Sequence, residues 1–170
     1  YAHIAVPGWG FVYRHYDTQI EPFIKNETAH KLTAWHNRLD KLYGNYRNYH
    51  VVSEGAKETG DGYATVAIRQ YFTANVTPAH PDTLDVRDNR LEPILQFSKH
   101  KYIAVIDGIG PTNRYLEILG LGSLLFKMRS RFRLHFEGGL QPYVHYVPFW
   151  EESPWDAHPQ MLWARAHDDL

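Results

Sequence analysis

The sequence predicts an α/β protein, a Rossmann-like parallel sheet with flanking helices, and three observations carry that prediction. Tyr102–Ile106 is a continuous apolar run with β-branched residues at alternate positions, which is how a strand buried on both faces reads. A glycine turn and a helical segment follow, and Leu124–Met128 returns as a second apolar run; strand, helix and strand within about thirty residues make a βαβ unit. The chain has 170 residues, 44% hydrophobic and 22% charged, enough to bury one core.

The other elements follow in order. Residues 1–16 are aromatic and irregular, with Pro7-Gly8 as a turn signal. Asp17 and Thr18 offer an N-cap to a helix carrying Ile20, Phe23 and Ile24 at helical spacing, which runs to about Ala34. Leu42–Tyr46 reads as a short strand interrupted by Gly44, and Val51–Gly62 as a loop. Tyr63, Val66, Ala67, Gln70 and Tyr71 make the face of a second helix, and Pro78, Pro81 and Asp82 mark a loop before a short strand at Thr83–Arg87. Leu91–Phe97 is expected to be helical, with Pro93 in the first turn, where its missing N–H costs nothing. Thr112 or Asn113 caps a helix that ends at Gly120. The last third holds a short helix, the extended stretch "LQPYVHYVPFW" and a terminal helix from about Pro159. One domain is expected: an aromatic segment and helix over residues 1–40, then an α/β core over 41–170.

Composition excludes several functions. A net charge of −1 and a pI near 6.9 lack the basic footprint of a nucleic-acid binder. No apolar run is long enough to span a membrane, and the absence of Cys removes disulfides, thiolate nucleophiles and Cys zinc sites. The 11 histidines show neither HExxH nor any clustered ligand spacing, so no metal is expected. The basic run Lys127–Arg133 reads as a solvated face, or as a patch toward nucleotide phosphates or another subunit. The sequons at Asn26 and Asn75 are weak signals of a secretory protein, and the compartment stays open. The chain opens on Tyr1 and not on Met, so it is expected either to have been processed or to lack its beginning, any targeting segment having gone with it.

The stretch "DGIGPTNR", Asp107–Arg114, stops the first apolar run at the place where parallel sheets bind ligands, beyond the carboxyl end of a strand. Gly108 and Gly110 permit close backbone approach, Thr112 supplies a hydroxyl, and Arg114 can fork onto a diphosphate. Two readings stay open on these residues: a phosphate cradle, or a turn that only reverses the chain. Neither the Walker pattern nor the full GxGxxG pattern is present.

The segment "HKYIAVIDGIGPTNRYLEILGLGSLLFK", followed by "GLQPYVHYVPF", resembles the signature of glycosyltransferase family 90. That family includes the protein O-glucosyltransferases and O-xylosyltransferases of the secretory pathway and the fungal capsule-associated xylosyltransferases. "VPGWGF" is similar to the family's Pro-x-Trp-Ser-Phe-Trp stretch, "AWHNRLDKLYGN" to its Trp-x-x-Arg/Lys segment leading into a glycine turn, and "WARAHDD" to its terminal helix. These blocks stand in the family's order and cover most of the chain.

The resemblance implies the C-terminal, donor-binding half of an inverting, metal-independent enzyme of the two-Rossmann-domain (GT-B) architecture. A UDP-sugar would be the donor, a hydroxyl of a protein or glycan the acceptor, and no cofactor would be needed. The family's donor-binding turns fall on Gly44 and Asn45 and on Gly108, Ile109, Gly110, Pro111 and Thr112, and Arg114 matches its diphosphate-contacting arginine. Trp9 and Phe11 stand on the acceptor side. His145 matches the family's histidine, as a donor contact or as a buried structural residue. The family's catalytic aspartate lies upstream of the block that opens this chain, so the base is expected outside these residues; Asp17 reads as a helix cap and Asp107 as a turn residue. Gly10, Val12 and Tyr43 replace the Ser, Trp and Arg or Lys usual in the family. These departures keep a second expectation in play: a catalytically inactive subunit of a larger protein assembly.

Overall fold

Five parallel strands, β1 (Leu39–Tyr46), β2 (Leu84–Asp88), β3 (His100–Val105), β4 (Leu124–Met128) and β5 (Val147–Phe149), form one sheet in the order β2-β1-β3-β4-β5. In this computed structural model the described residues are 21–22, 25, 32–47, 67–88, 92–108, 110–112, 114–130 and 132–168. The helix expected from Asp17 and the loop expected at Val51–Gly62 lie almost wholly outside them; Glu21 and Pro22 are helical. The all-parallel sheet bears out the α/β prediction.

Alternation along the strands sorts the core into two layers. On one face Leu42, Tyr46, Tyr102, Ala104, Phe126, Met128 and Phe149 pack against a helix over residues 68–79, α1, and against the terminal helix α3 (Ala157–Ala166). On the other face Tyr43, Ile103, Val105 and Leu125 meet Phe97 and the short helix α2 (Tyr115–Leu119). Helices on both faces leave no side of the central strands in water. That is why β3 reads as an unbroken apolar run.

Several elements differ from expectation for identifiable reasons. Gly44 does not interrupt β1, which runs unbroken through it because the Tyr46 ring folds back over the glycine: a Cβ there would lie 2.5 Å from Tyr46 Cε2. Pro78 lies in the last turn of α1 instead of in a loop. The turn before it, Phe72–Val76, is π-type, with Thr77 N–H bonded to Phe72 O, and the wider spacing accommodates the proline's missing donor. Residues Ile94–Lys99 close as a 3-10 helix behind Pro93. Among the described residues no side chain caps α2; Asn113 lies outside them, Arg114 occupies the N-cap position, and Thr112 contributes its carbonyl, which accepts from Tyr115 N at 3.3 Å. The terminal helix starts two residues early, at Ala157, after a 3-10 turn whose Ser153 hydroxyl accepts from Trp155 N.

β5 is the outer strand on one side, only three residues long, with Pro148 at its centre. Among the described residues no helix is long and apolar enough to cross a membrane.

Candidate functional site

The strand order reverses direction between β1 and β3, so the carboxyl ends of these two neighbours diverge and leave a crevice outside the sheet. Tyr46 and Arg47 end one side; Ile106, Asp107 and Gly108 end the other. A buried guanidinium joins the two. Arg69, from the first turn of α1, donates from Nη2 to Ile106 O at 2.9 Å and from Nη1 to Arg47 O at 3.2 Å, and lies 4.7 Å over the Tyr46 ring. The Tyr46 hydroxyl donates to Ala104 O, which ties the same two strands one step lower.

Gly108 has a physical reason at this place. A Cβ there would come within 3.1 Å of the Arg69 guanidinium carbon. The glycine therefore admits a cation of the protein itself. Gly110 faces open space, with nothing within 4 Å of a built Cβ, and Gly108 N donates to Gly110 O at 2.9 Å, which curls the loop. Arg114 follows half-buried, its guanidinium 6.0 Å from the Phe97 ring centroid.

The predicted residues thus fall into two groups. Gly108, Gly110, Pro111, Thr112 and Arg114 come together beyond β3. Gly44 and Asn45 lie inside β1, paired with Val86 and Arg87, beneath the crevice and not in a turn; Asn45 is buried. His145 is placed apart, in the turn before β5, where it is exposed and its Nδ1 accepts from Gln141 N at 2.9 Å. Trp9, Phe11 and Ile109 lie outside the described residues.

Beside the crevice, at the carboxyl end of β4, opens a cavity of about 220 Å³. Lys127, Arg129 and Arg133 line it together with Glu137 and Glu151, and Phe132, Leu140 and Tyr146 supply apolar wall. Lys127 Nζ stands 3.7 Å from Glu137 Oε1 and 5.8 Å from the Tyr146 ring centroid. Asp107 connects cavity and crevice. It shares its sheet face with Lys127, and its carboxylate accepts from the Ser130 hydroxyl while Oδ2 has no partner. Burial pushes the Asp107 carboxyl up to about 6, against the opposing pull of Ser130, Lys127 and Arg69.

Sequence reasoning missed Arg69, Glu137 and the burial of Asp107. Arg69 had a signal: Ile68, Phe72 and Val76 repeat every four residues, and that stripe places the arginine over the strand ends. Among the described residues no group of three or more His, Asp or Glu side chains is placed to hold a metal ion.

A doubly wound parallel sheet with its crevice at the reversal of strand order defines the class: an α/β protein of the kind that binds ligands beyond its strand ends. The chain belongs to glycosyltransferase family 90, whose family model matches residues 2–170. Over 73 residues it is 37% identical to protein O-glucosyltransferase 2 of Danio rerio, a stretch that is 43% of this chain and 14% of that protein. Over 80 residues it is 31% identical to protein O-glucosyltransferase 3 of Homo sapiens, covering 47% of this chain and 16% of that protein. The matched stretches are thus a small fraction of either relative.

Proposed function

We propose that this chain is the donor-binding part of a glycosyltransferase that moves a hexose or pentose, glucose first among them, from a UDP-sugar to a hydroxyl of a protein or glycan. Family membership and the crevice at the β1/β3 reversal support this reading, and the crevice carries it. The diphosphate lies along Gly108–Thr112, where Gly110 leaves the backbone open, and Arg114 closes on it through charge-assisted bonds. Arg69 fixes the floor by holding both strand ends at once. In the reaction the acceptor oxygen forms a bond to the anomeric carbon, the bond to the diphosphate oxygen breaks with inversion, and the acceptor's proton passes to a base.

Titration calorimetry with UDP tests the reading. Wild-type chain is expected to bind, with affinity unchanged by EDTA, and Arg114→Ala to weaken binding by about ten- to a hundredfold, the worth of one charge-assisted contact. No heat up to millimolar UDP would overturn it.

One observation favours a second reading, an inactive subunit of a larger assembly. Tyr143 and Val144 are 57% and 68% exposed, and the Tyr143 ring lies edge-on to that of Trp163, itself 41% exposed, with centroids 5.6 Å apart, so an apolar aromatic pair faces solvent. Light scattering that finds a monomer, together with transferase activity of that monomer, would remove this reading.

A further inference from the structure

We propose that the cavity at the carboxyl end of β4 seats the sugar ring of the donor, and that Glu137 is the side chain that reads the ring's hydroxyl groups. The inference rests on the donor reading above and deepens it. Size comes first: about 220 Å³ falls short of the ~300–1,000 Å³ of pockets that take a drug-sized ligand, and suits one sugar ring better than a whole nucleotide sugar.

The walls match that ring chemically. A pyranose has a polar equator and apolar faces; here Glu137 and Ser130 offer hydrogen-bonding groups, while Tyr146, Phe132 and Leu140 offer apolar surface. Glu137 is pinned for the task. Its side chain is 14% exposed, Lys127 holds Oε1 from one side, and the 3-10 turn Glu137–Gly139 fixes its backbone, with Glu137 N donating to Leu134 O at 3.0 Å. A carboxylate presents about four acceptor positions, and the lysine occupies only one side of this one. Placement agrees with the donor's own connectivity. Asp107 adjoins both the Gly108–Thr112 loop and, through Ser130, the cavity wall, so a diphosphate on the loop delivers its sugar to the cavity mouth.

Glu137 has no counterpart among the residues expected from sequence. It lies in a loop whose conformation, and not its local pattern, brings it to Lys127.

The test is calorimetric titration of wild type, Glu137→Gln and Glu137→Asp with UDP and with whichever of UDP-glucose and UDP-xylose wild type binds more tightly. Glu137→Gln keeps the shape, and UDP affinity in the same variant reports that the crevice is folded. The expected result is a fall of about ten- to a hundredfold in UDP-sugar affinity relative to UDP, as for a lost hydrogen bond to a charged group. Glu137→Asp, which keeps the charge but shortens the reach, should fall between the two. Equal weakening of UDP and UDP-sugar would overturn the proposal by placing the nucleotide in the cavity; no change in either would overturn it by leaving Glu137 outside the site. Failure of wild type to bind UDP at all is a different result: it removes the donor reading and this inference with it.

Discussion

Asp107 is a carboxyl group held where a charge is costly. Its ordinary pKa of 3.8 rises to about 6 on burial, so the folded state binds this proton more tightly than the unfolded chain does. The contribution to stability is therefore complete below about pH 4 and is lost as pH rises through 6. Asp107→Asn removes the titration. The variant is expected to gain on wild type by about 2 to 3 kcal/mol between pH 4 and pH 7, and to gain nothing further above that, when urea unfolding is followed at each pH. Sequence pattern placed Asp107 correctly, at the end of a buried strand. It could not show that Ser130, Lys127 and Arg69 converge on the carboxylate, because Lys127 and Ser130 come from β4 and the loop behind it and Arg69 from α1. Gly108 shows the same limit: its type was legible as a close-approach residue, but the group that approaches in this structure is Arg69 of α1.

At the scale of elements, β1 is the informative case. A glycine at the middle of five buried positions reads as a break, yet the strand continues because the Tyr46 ring fills the space above Gly44 and reaches across to Ala104 O. Gly44→Ala forces a methyl group into that ring. It is expected to destabilise the protein by about 1 to 3 kcal/mol, seen as a lower urea midpoint with an unchanged slope. β4 is legible to the residue, and β3 to within two residues at its start and one at its end, since burial on both faces leaves an unmistakable apolar run. Helices fared less well. The sequence spacing puts the helical face on Tyr63, Val66, Ala67, Gln70 and Tyr71, of which Tyr63 and Val66 lie outside the described residues; the buried stripe of α1 is Ile68, Phe72 and Val76, a phase that places Arg69 beside the strand ends. Capping misled at α2, whose five residues are held by packing of Tyr115 and Ile118 instead of by a side-chain cap.

At the scale of the molecule, the two-layered core holds both strand ends that make the crevice. Phe126 is fully buried at the centre of the sheet, edge-on to Tyr102 and tilted against Phe149. Phe126→Ala is expected to cost about 3 to 5 kcal/mol in chemical denaturation, and to weaken UDP binding only in so far as the fold is lost. The fold class was open to sequence reasoning because a βαβ unit announces itself within a single window. The cavity was not, because its lining converges from β4, the loop behind it and the approach to β5.

The outer strand has a bearing on assembly. Pro148 gives the margin of β5 no N–H at its middle residue, and three residues are too few to template a neighbour. On the opposite margin β2 carries the paired charges of Asp85 and Arg87. Among the described residues both rims of the sheet thus resist strand addition, which disfavours capture of an incoming peptide by backbone zippering. Recognition of this domain falls instead to side chains and loops.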